Sequence, residues 1–466
     1  MNKIFYQPKN LWFGDCMPFY KDGVYYLFHQ RDTRKPKPLT DPFGWSLVTT
    51  TDFVHFTDFG EVIKKGEQNS IDQYIYAGSV FQGKEGLIAL YTGHNRQAKL
   101  TGVTSEILMQ ASSLDGIEWE KEGEASKLVP QEGYDSKDWR DPFVIFDQER
   151  NKYILVLGAR LPASKKKPTG RLVYFESDDL SEWVFKGDFW TPDEFNMVEM
   201  PEIFSIQDDW YLIFSEYSED KITKYRIGDS LYGKWRSLKD EAFDGKAYYA
   251  ARTVGTNETG RFLMGWVATK MNNDDLNIYD WGGALVPHEI IQREDKTLGV
   301  RLPETITNHF NKSKKINSIE INNKYAKEES TILSSLEDYF LLETQICILE
   351  DTKEFSMKLF VDEETQEGYE FTISMNKASL TFGKTPNYPW PQFFDKGLER
   401  PLNLEIGKYY DVQMIVDDTI AVLYINNTAL STRMYNKTGT ALSFTVTEGA
   451  VSTSEIKYLT SYQSGF

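Results

Sequence analysis

The chain has 466 residues, 40% hydrophobic and 14% aromatic, which supplies a large core, excludes global disorder and predicts more than one domain. Seventy acidic residues against 52 Lys and Arg give a formal charge of −18, a field that disfavours nucleic acid and anionic membrane as partners and suits a plain solubility role or a neutral ligand. Two cysteines, Cys16 and Cys347, and five scattered histidines provide neither a disulfide framework nor metal-ligand spacing, so neither a metal nor another cofactor is expected.

The start, Met1-Asn2-Lys3-Ile4-Phe5-Tyr6-Gln7-Pro8, carries no apolar leader, and no run approaches about 18 apolar residues. A cytoplasmic protein, monomer or homodimer, is the expectation. From there one layout recurs. Apolar runs introduced by turns stand at Val24-Tyr25-Tyr26-Leu27-Phe28, Leu87-Ile88-Ala89-Leu90-Tyr91, Tyr153-Ile154-Leu155-Val156, Trp210-Tyr211-Leu212-Ile213-Phe214 and Phe262-Leu263-Met264-Gly265-Trp266, roughly 50–65 residues apart. Asp-led turns keep phase with them at Thr51-Asp52-Phe53-Val54-His55-Phe56, Ser113-Leu114-Asp115-Gly116-Ile117-Glu118-Trp119 and Ser177-Asp178-Asp179-Leu180-Ser181-Glu182-Trp183, each reading as a turn into a strand that ends on the aromatic. Helical periodicity is nearly absent to residue 300. Such a repeat, with about four strands per unit, predicts an all-β fold: a five-bladed β-propeller over residues 1–305. Residues 306–330, rich in Asn, Lys and Ser, read as a linker or entry segment. Alternating runs such as Phe355-Ser356-Met357-Lys358-Leu359-Phe360-Val361 then predict a C-terminal β-sandwich over residues 331–466.

In a propeller the innermost strand of each blade faces one axial pocket. Those strands should lie just before the repeated runs, at Trp12-Phe13-Gly14-Asp15-Cys16, Tyr76-Ala77-Gly78-Ser79-Val80, Trp139-Arg140-Asp141-Pro142, Met197-Val198-Glu199-Met200-Pro201-Glu202 and Tyr248-Tyr249-Ala250-Ala251-Arg252-Thr253. Three blades thus deliver a carboxylate to equivalent places, with aromatics and an Arg around them. Converging carboxylates perturb one another's pKa and mark a functional site. Without a His or Cys cluster they suit glycosidic bond cleavage: one protonates the leaving oxygen, another attacks the anomeric carbon or activates water, and a third holds sugar hydroxyls. Trp and Tyr faces supply platforms for sugar rings.

These stretches, in this order, resemble glycoside hydrolase family 32, the invertase, inulinase and levanase group, and more remotely the five-bladed family 43. Trp12-Phe13-Gly14-Asp15 looks like that family's Trp-Met-Asn-Asp, and Gln30 falls near the Gln closing its next strand. Trp45 with the Asp52–Phe56 block looks like its Trp-Gly-His … Asp-Leu-Val-His-Trp, and Tyr76-Ala77-Gly78-Ser79 like Phe-Ser-Gly-Ser. Asp138-Trp139-Arg140-Asp141-Pro142 looks like Asp-Phe-Arg-Asp-Pro, and Glu199-Met200-Pro201-Glu202 like Glu-Cys-Pro-Asp. The resemblance implies a retaining β-fructofuranosidase acting on sucrose or short fructo-oligosaccharides, with Asp15 as nucleophile, Glu199 as general acid/base and Asp141 as transition-state stabiliser. Arg140 would pin the carboxylates, and Trp12, Gln30, Trp45, Ser79, Arg140, Tyr249 and Trp281 would line the substrate site. Trp12 and Trp45 read equally as sugar platforms or blade core, and Trp139 as core. Glu202 competes for the acid role, but in a strand it points to the opposite face from Glu199. A raised pKa on Glu199 beside a low one on Asp15 is the expected division of labour.

Departures from the pattern cluster beside Asp15. Gly14 replaces the family's Asn, Cys16-Met17-Pro18 its Pro-Asn-Gly, and Ser46-Leu47 its Gly-His. These positions shape the sugar subsite and imply a divergent branch. Two other readings remain open from the residues: an inverting family-43-like arabinofuranosidase or xylosidase, and a carbohydrate-binding protein without turnover.

Overall fold

The computed structural model describes residues 3–35, 40–123, 127–162, 168–218, 220–256, 258–349, 352–386 and 397–461. Five antiparallel units follow one another. The first is β1 (Trp12–Lys21), β2 (Val24–Asp32), β3 (Trp45–Thr50) and β4 (Phe56–Ile63). The second is β5 (Tyr74–Gln82), β6 (Leu87–His94), β7 (Glu106–Ser113) and β8 (Glu120–Lys121), with α1 (Arg96–Thr101) between β6 and β7. The third is β9 (Trp139–Asp147), β10 (Lys152–Arg160), β11 (Gly170–Ser177) and β12 (Val184–Trp190). In the fourth, β13 (Val198–Ile206), β14 (Asp209–Glu216) and β15 (Thr223–Gly228) form the sheet, edged by isolated bridges from Lys224 to Ala242 and Ile227 to Arg236. The fifth is β16 (Tyr248–Thr256), β17 (Gly260–Lys270), β18 (Tyr279–Gln292) and β19 (Leu298–Arg301).

The first strands of the units, β1, β5, β9, β13 and β16, touch one another in a closed ring. This is a five-bladed propeller with its inner strands where the repeat placed them. The last blade meets the first where Phe13 of β1 pairs with Gly283 of β18.

The Asp-led turns owe their recurrence to hydrogen bonding. In each, a Ser or Thr ending the third strand accepts from a main-chain N–H three residues on: Thr50 from Phe53 at 2.9 Å, Ser113 from Gly116 at 2.8 Å and Ser177 from Leu180 at 2.9 Å. The following Asp accepts from the next turn, as Asp115 does from Ile117 at 2.8 Å and Glu118 at 2.9 Å. Side-chain acceptors of this kind hold a turn that the strand ladder cannot satisfy. The aromatic that follows, Phe56, Trp119 or Trp183, stands at the head of the fourth strand. The sequence pattern had put it at a strand's end.

Residues 306–330, expected as a linker, are instead structured. After α2 (Glu304–His309) come β20 (Lys312–Ile316) and β21 (Glu320–Leu333). β20 pairs with β31 (Ile456–Thr460), and β21 pairs along β30 (Ala441–Thr453). Both are largely exposed, so a polar composition that read as linker is that of strands with little to bury. The remaining sandwich strands are β22 (Tyr339–Ile348), β23 (Glu354–Val361), β24 (Gly368–Ser374), β25 (Ser379–Thr385), β26 (Glu399–Pro401), β27 (Tyr409–Asp417), β28 (Ile420–Ile425) and β29 (Thr428–Arg433). β30 passes from one layer to the other, pairing with β23 through Thr447 and with β22 from Val451 onward, across a bend at Glu448 and Gly449 where φ is positive.

The two parts share one hydrophobic core, running from Phe5 and Leu285 to Leu342 and Leu423. Buried polar groups lock the junction. Asp244 accepts from Ser431 N at 2.7 Å and pairs with His288, which bonds Tyr424 on the sandwich side. Arg433 donates to the carbonyls of Val267 and Ala268. A junction satisfied in this way holds blade V, and with it one wall of the funnel, in place.

Candidate active site

Each inner strand carries a β-bulge at the same depth. Two residues of the inner strand oppose one of its neighbour at Gly14-Asp15, Asp141-Pro142, Met200-Pro201 and Ala250-Ala251, and Ala77 is a single extra residue in β5. Asp141, Met200 and Ala250 adopt φ of 64°, 50° and 53°. Bulges bend a strand and re-aim its side chains, and here five of them open the ring into a funnel. The carboxylates occupy successive rather than equivalent positions about the bulge. Glu199 precedes it, Asp141 begins it and Asp15 ends it. The equivalence expected from the repeat is thus corrected: a common bulge brings three different registers to one place.

The residues one step before the bulge in blades III, IV and V form a chain. Arg140 donates through Nη2 to Glu199 Oε1 at 2.8 Å, and Tyr249 OH donates to Glu199 Oε2 at 2.7 Å. Arg140 is itself held by Asp138 at 2.6 Å and Glu106 at 3.2 Å. Glu106 is fully buried and accepts from Trp139 N at 2.9 Å. Burial alone would raise its carboxyl pKa, but Arg140 and His94 hold it down at about 2, so the guanidinium stands on a permanent anion.

Asp141 is buried. Its Oδ2 accepts from Met200 N at 3.1 Å, its N–H donates to Thr92 Oγ1 at 3.0 Å, and its carbonyl accepts from Arg252 at 3.0 Å. Burial raises its pKa to about 6 against the pull of Arg140. Asp15 accepts from Trp266 Nε1 at 3.0 Å. Burial first, and the charge of Asp141 second, push Asp15 up to about 8, with Trp266 and Arg252 opposing. The low value expected for Asp15 is therefore corrected to a raised one. Of the two arginines at the axis, Arg140 is drawn to Glu199 and Asp141, which leaves Asp15 with Arg252 alone against burial and the charge of Asp141.

Of the residues expected to bind substrate, Arg140 and Tyr249 reach the carboxylates, and Trp281 stands beside them against Gly14. Trp12 is half-buried at the head of β1, with the Arg34 guanidinium 4.7 Å above its ring. Gln30 is buried and donates to Ile75 O at 3.3 Å, tying blade I to blade II. Trp45 is wholly buried, packs on Phe28 and Tyr91 and donates to Tyr76 O at 3.0 Å. It is blade core, as is Trp139. Ser79 lies beyond the bulge with its hydroxyl buried. Trp45 and Ser79 are thus corrections: neither side chain is open to the funnel. Glu202 is buried too, accepting from Thr253 N at 2.5 Å in the interface between blades IV and V. That leaves Glu199 facing the axis.

Three residues of the site were not singled out from the sequence: Trp266, Arg252 and Glu106. The signal for two of them was available, since Arg252 and Glu106 are lone charges in apolar inner or neighbouring strands. Such charges are buried only when paired.

A funnel floor with an ion-paired carboxylate, a proton-bearing carboxyl and a third acid can deliver a proton and a nucleophile to opposite sides of one bond. Comparisons with known proteins agree with that chemistry. Residues 5–300 match the glycosyl hydrolases family 32 N-terminal domain. Sucrose-6-phosphate hydrolase of Escherichia coli is 23% identical over 451 residues, covering 91% of this chain and 85% of that one. Levanbiose-producing levanase of Bacillus subtilis (strain 168) is 28% identical over 250 residues, 51% of this chain and 42% of the levanase. The structure of sucrose-6-phosphate hydrolase from Lactobacillus gasseri superposes with a TM-score of 0.76 at 19% identity, covering 99% of this chain and 93% of that one. The chain belongs to glycosyl hydrolase family 32 and is a glycosidase.

Proposed function

We propose that the protein hydrolyses the β-fructofuranosyl bond of sucrose, sucrose 6-phosphate or short fructans with retention. Asp15 attacks the anomeric carbon, Glu199 protonates the leaving oxygen and then activates water, and Asp141 holds ring hydroxyls. The observation that carries the reading is the meeting of Asp15, Asp141 and Glu199 about one axis, with Arg140 and Tyr249 orienting Glu199. The family match supports hydrolysis over the non-catalytic and family-43-like readings. Sucrose 6-phosphate and levan enter because two of the relatives are named for them. Two free, buried cysteines suit a reducing compartment, and the proposal places the enzyme in the cytoplasm as a monomer or homodimer. Among the described residues no helix is long and apolar enough to cross a membrane.

One specific observation favours a second reading. Asp15 holds its proton to about pH 8, while Glu199 is ion-paired with Arg140. In this arrangement Asp15 would give the proton and Glu199 would attack. The first reading is preferred because a bond that breaks through a cationic sugar places positive charge next to Asp15 and favours its ionised form.

The test is hydrolysis of sucrose, sucrose 6-phosphate, 1-kestose, inulin and levan, with kcat/KM followed against pH. At least one fructoside is turned over, and aryl arabinofuranoside is not. Because the nucleophile must be ionised, kcat/KM rises with pH through the free-enzyme values of Asp141 and Asp15, between about 6 and about 8. An acid limb lying wholly below pH 5 contradicts the site described.

A further inference from the structure

Glu106 opens β7 and stands directly across the blade II ladder from His94, which closes β6. Its side chain is sealed, with 0% exposed, and a carboxylate taken that far from water needs partners. It finds them in blade III. Oε2 accepts from Trp139 N at 2.9 Å and from Nη1 of Arg140 at 3.2 Å. His94 Nδ1 lies 3.5 Å from Oε1, and its ring is flat against Tyr76 at 4.3 Å and 9°. Burial pushes the Glu106 carboxyl upward, but Arg140 and His94 bring it down to about 2, so Glu106 is an anion from mildly acid pH upward.

The guanidinium above it is shared. Nη1 of Arg140 also holds Asp138 at 2.6 Å, while Nε and Nη2 both point to Oε1 of Glu199, at 3.3 Å and 2.8 Å. Asp138 takes a second guanidinium, that of Arg160, at 3.3 Å. The permanent charges in contact are therefore Arg140 and Arg160 against Glu106 and Asp138, and they balance before Glu199 is counted. An ionised Glu199 leaves the cluster one charge negative; a protonated one leaves it neutral. Remove the charge of Glu106, and the cluster balances only with Glu199 ionised. The other groups facing Glu199 do not supply a cation. Asp141 and Asp15 are acids that repel its charge when they are ionised, and Tyr249 is a neutral donor with Glu216 of β14 behind it.

We propose that Glu106 is a positioning residue for the acid step: it takes up the charge of Arg140, so that Arg140 orients Glu199 by hydrogen bonds without stripping it of the proton owed to the leaving oxygen. A guanidinium with no other partner favours the ionised form of a carboxylate it binds, and an ionised Glu199 cannot protonate anything. The buried anion on the far side of Arg140 removes that conflict. The inference rests on the fructosidase reading with Glu199 as the acid, and says how an acid held by an arginine remains one.

The test uses the full chain and two donors of one sugar: sucrose, whose leaving oxygen needs a proton, and 4-nitrophenyl β-fructofuranoside, whose leaving group does not. Glu106→Gln keeps an oxygen for Trp139 N and Arg140 and removes the charge. Glu199 then ionises more readily, so the alkaline limb of kcat/KM for sucrose moves down by about one pH unit, and on that limb kcat/KM falls about tenfold. At the same pH the cost on the aryl donor is at most about a third of that, because no proton is drawn from Glu199. Glu106→Asp restores the charge and brings the limb back toward its wild-type place. Asp138→Asn removes the other anion on Arg140 and moves the limb in the same direction, and it decides alone should Glu106→Gln not fold. A limb that stays or moves up, or equal costs on the two donors at every pH, overturns the proposal and leaves Glu106 as a structural tie between blades II and III. A wild type that turns over no fructoside sinks the fructosidase reading and the role of Glu106 together, whereas turnover of both donors with an unmoved limb in the variant sinks only the latter.

Discussion

Asp15→Asn is expected to abolish hydrolysis and to stabilise the fold at neutral and alkaline pH. The catalytic loss is at least ~10⁴-fold in kcat, the scale seen when a nucleophile is removed from a site whose parts act as a unit. The gain in stability follows from the raised pKa. Asp15 binds its proton more tightly in the folded chain, at about 8 against 3.8 for the ordinary side chain. Below pH 3.8 it is protonated in both states and contributes nothing. Between these two values the unfolded chain ionises first, so ionisation opposes folding, and above pH 8 the penalty is constant. Asn matches the protonated side chain in shape and can still accept from Trp266 Nε1. At ~1.4 kcal/mol per pKa unit, and with part of the shift arising from Asp141, the gain is on the order of 3 kcal/mol at pH 8 and vanishes at pH 3.5. Urea unfolding of both proteins at the two pH values reads it directly. A variant less stable than wild type at pH 8 would show that the Asp15 carboxylate is well accommodated and that the site's electrostatics are misjudged.

Arg252→Met is the second change with a large expected effect. Arg252 is buried on blade V and donates to the carbonyls of Gly78 on blade II and of Asp141 and Pro142 on blade III. It stitches three inner strands beneath the funnel and is a source of positive charge for Asp15, Asp141 and Glu202. Removing it leaves several carbonyls without a donor and the acids without that countercharge, a loss of roughly 3–5 kcal/mol. The remaining acids then hold their protons more tightly, so the acid limb of kcat/KM moves upward by about one unit. Arg252→Lys keeps the charge but not the planar fork that reaches several carbonyls at once, and falls between the two. A destabilised Arg252→Met whose pH profile is unmoved would reduce Arg252 to a structural staple.

The propeller was legible because each blade buries the same apolar run, and because in the first three blades a Ser or Thr with a following Asp at the outer turn meets the same main-chain donors. The inner strands and their three carboxylates followed from that phase. What did not follow was the backbone at the mouth. A bulge is one residue out of register, and nothing in Arg140-Asp141-Pro142 or Glu199-Met200-Pro201 announces a positive φ at its centre, so acids at three different steps read as equivalent. Burial of single aromatics was also illegible. Trp45 and Trp281 look alike in sequence, yet one is sealed under Phe28 and the other is pushed to the funnel wall by two glycines. Polar strands at an exposed edge, β20 and β21, carry no alternation to read. The exchange of Asn for Gly14 was visible as a departure, but the close approach of Trp281, which leaves no room for a Cβ there, was not.

The mechanism depends on which carboxylate bonds to the sugar. Glu199→Gln is slow to release a glycosyl-enzyme, since no base activates the water, but still accepts the fructosyl group from a donor with a leaving group that needs no proton, such as 4-nitrophenyl β-fructofuranoside. Acid quenching within the burst, followed by proteolysis and mass spectrometry, locates the ester. A fructosyl group is expected on the peptide carrying Asp15. A fructosyl ester on the peptide carrying Asp141, or a burst-free reaction with no ester on any peptide, would contradict it.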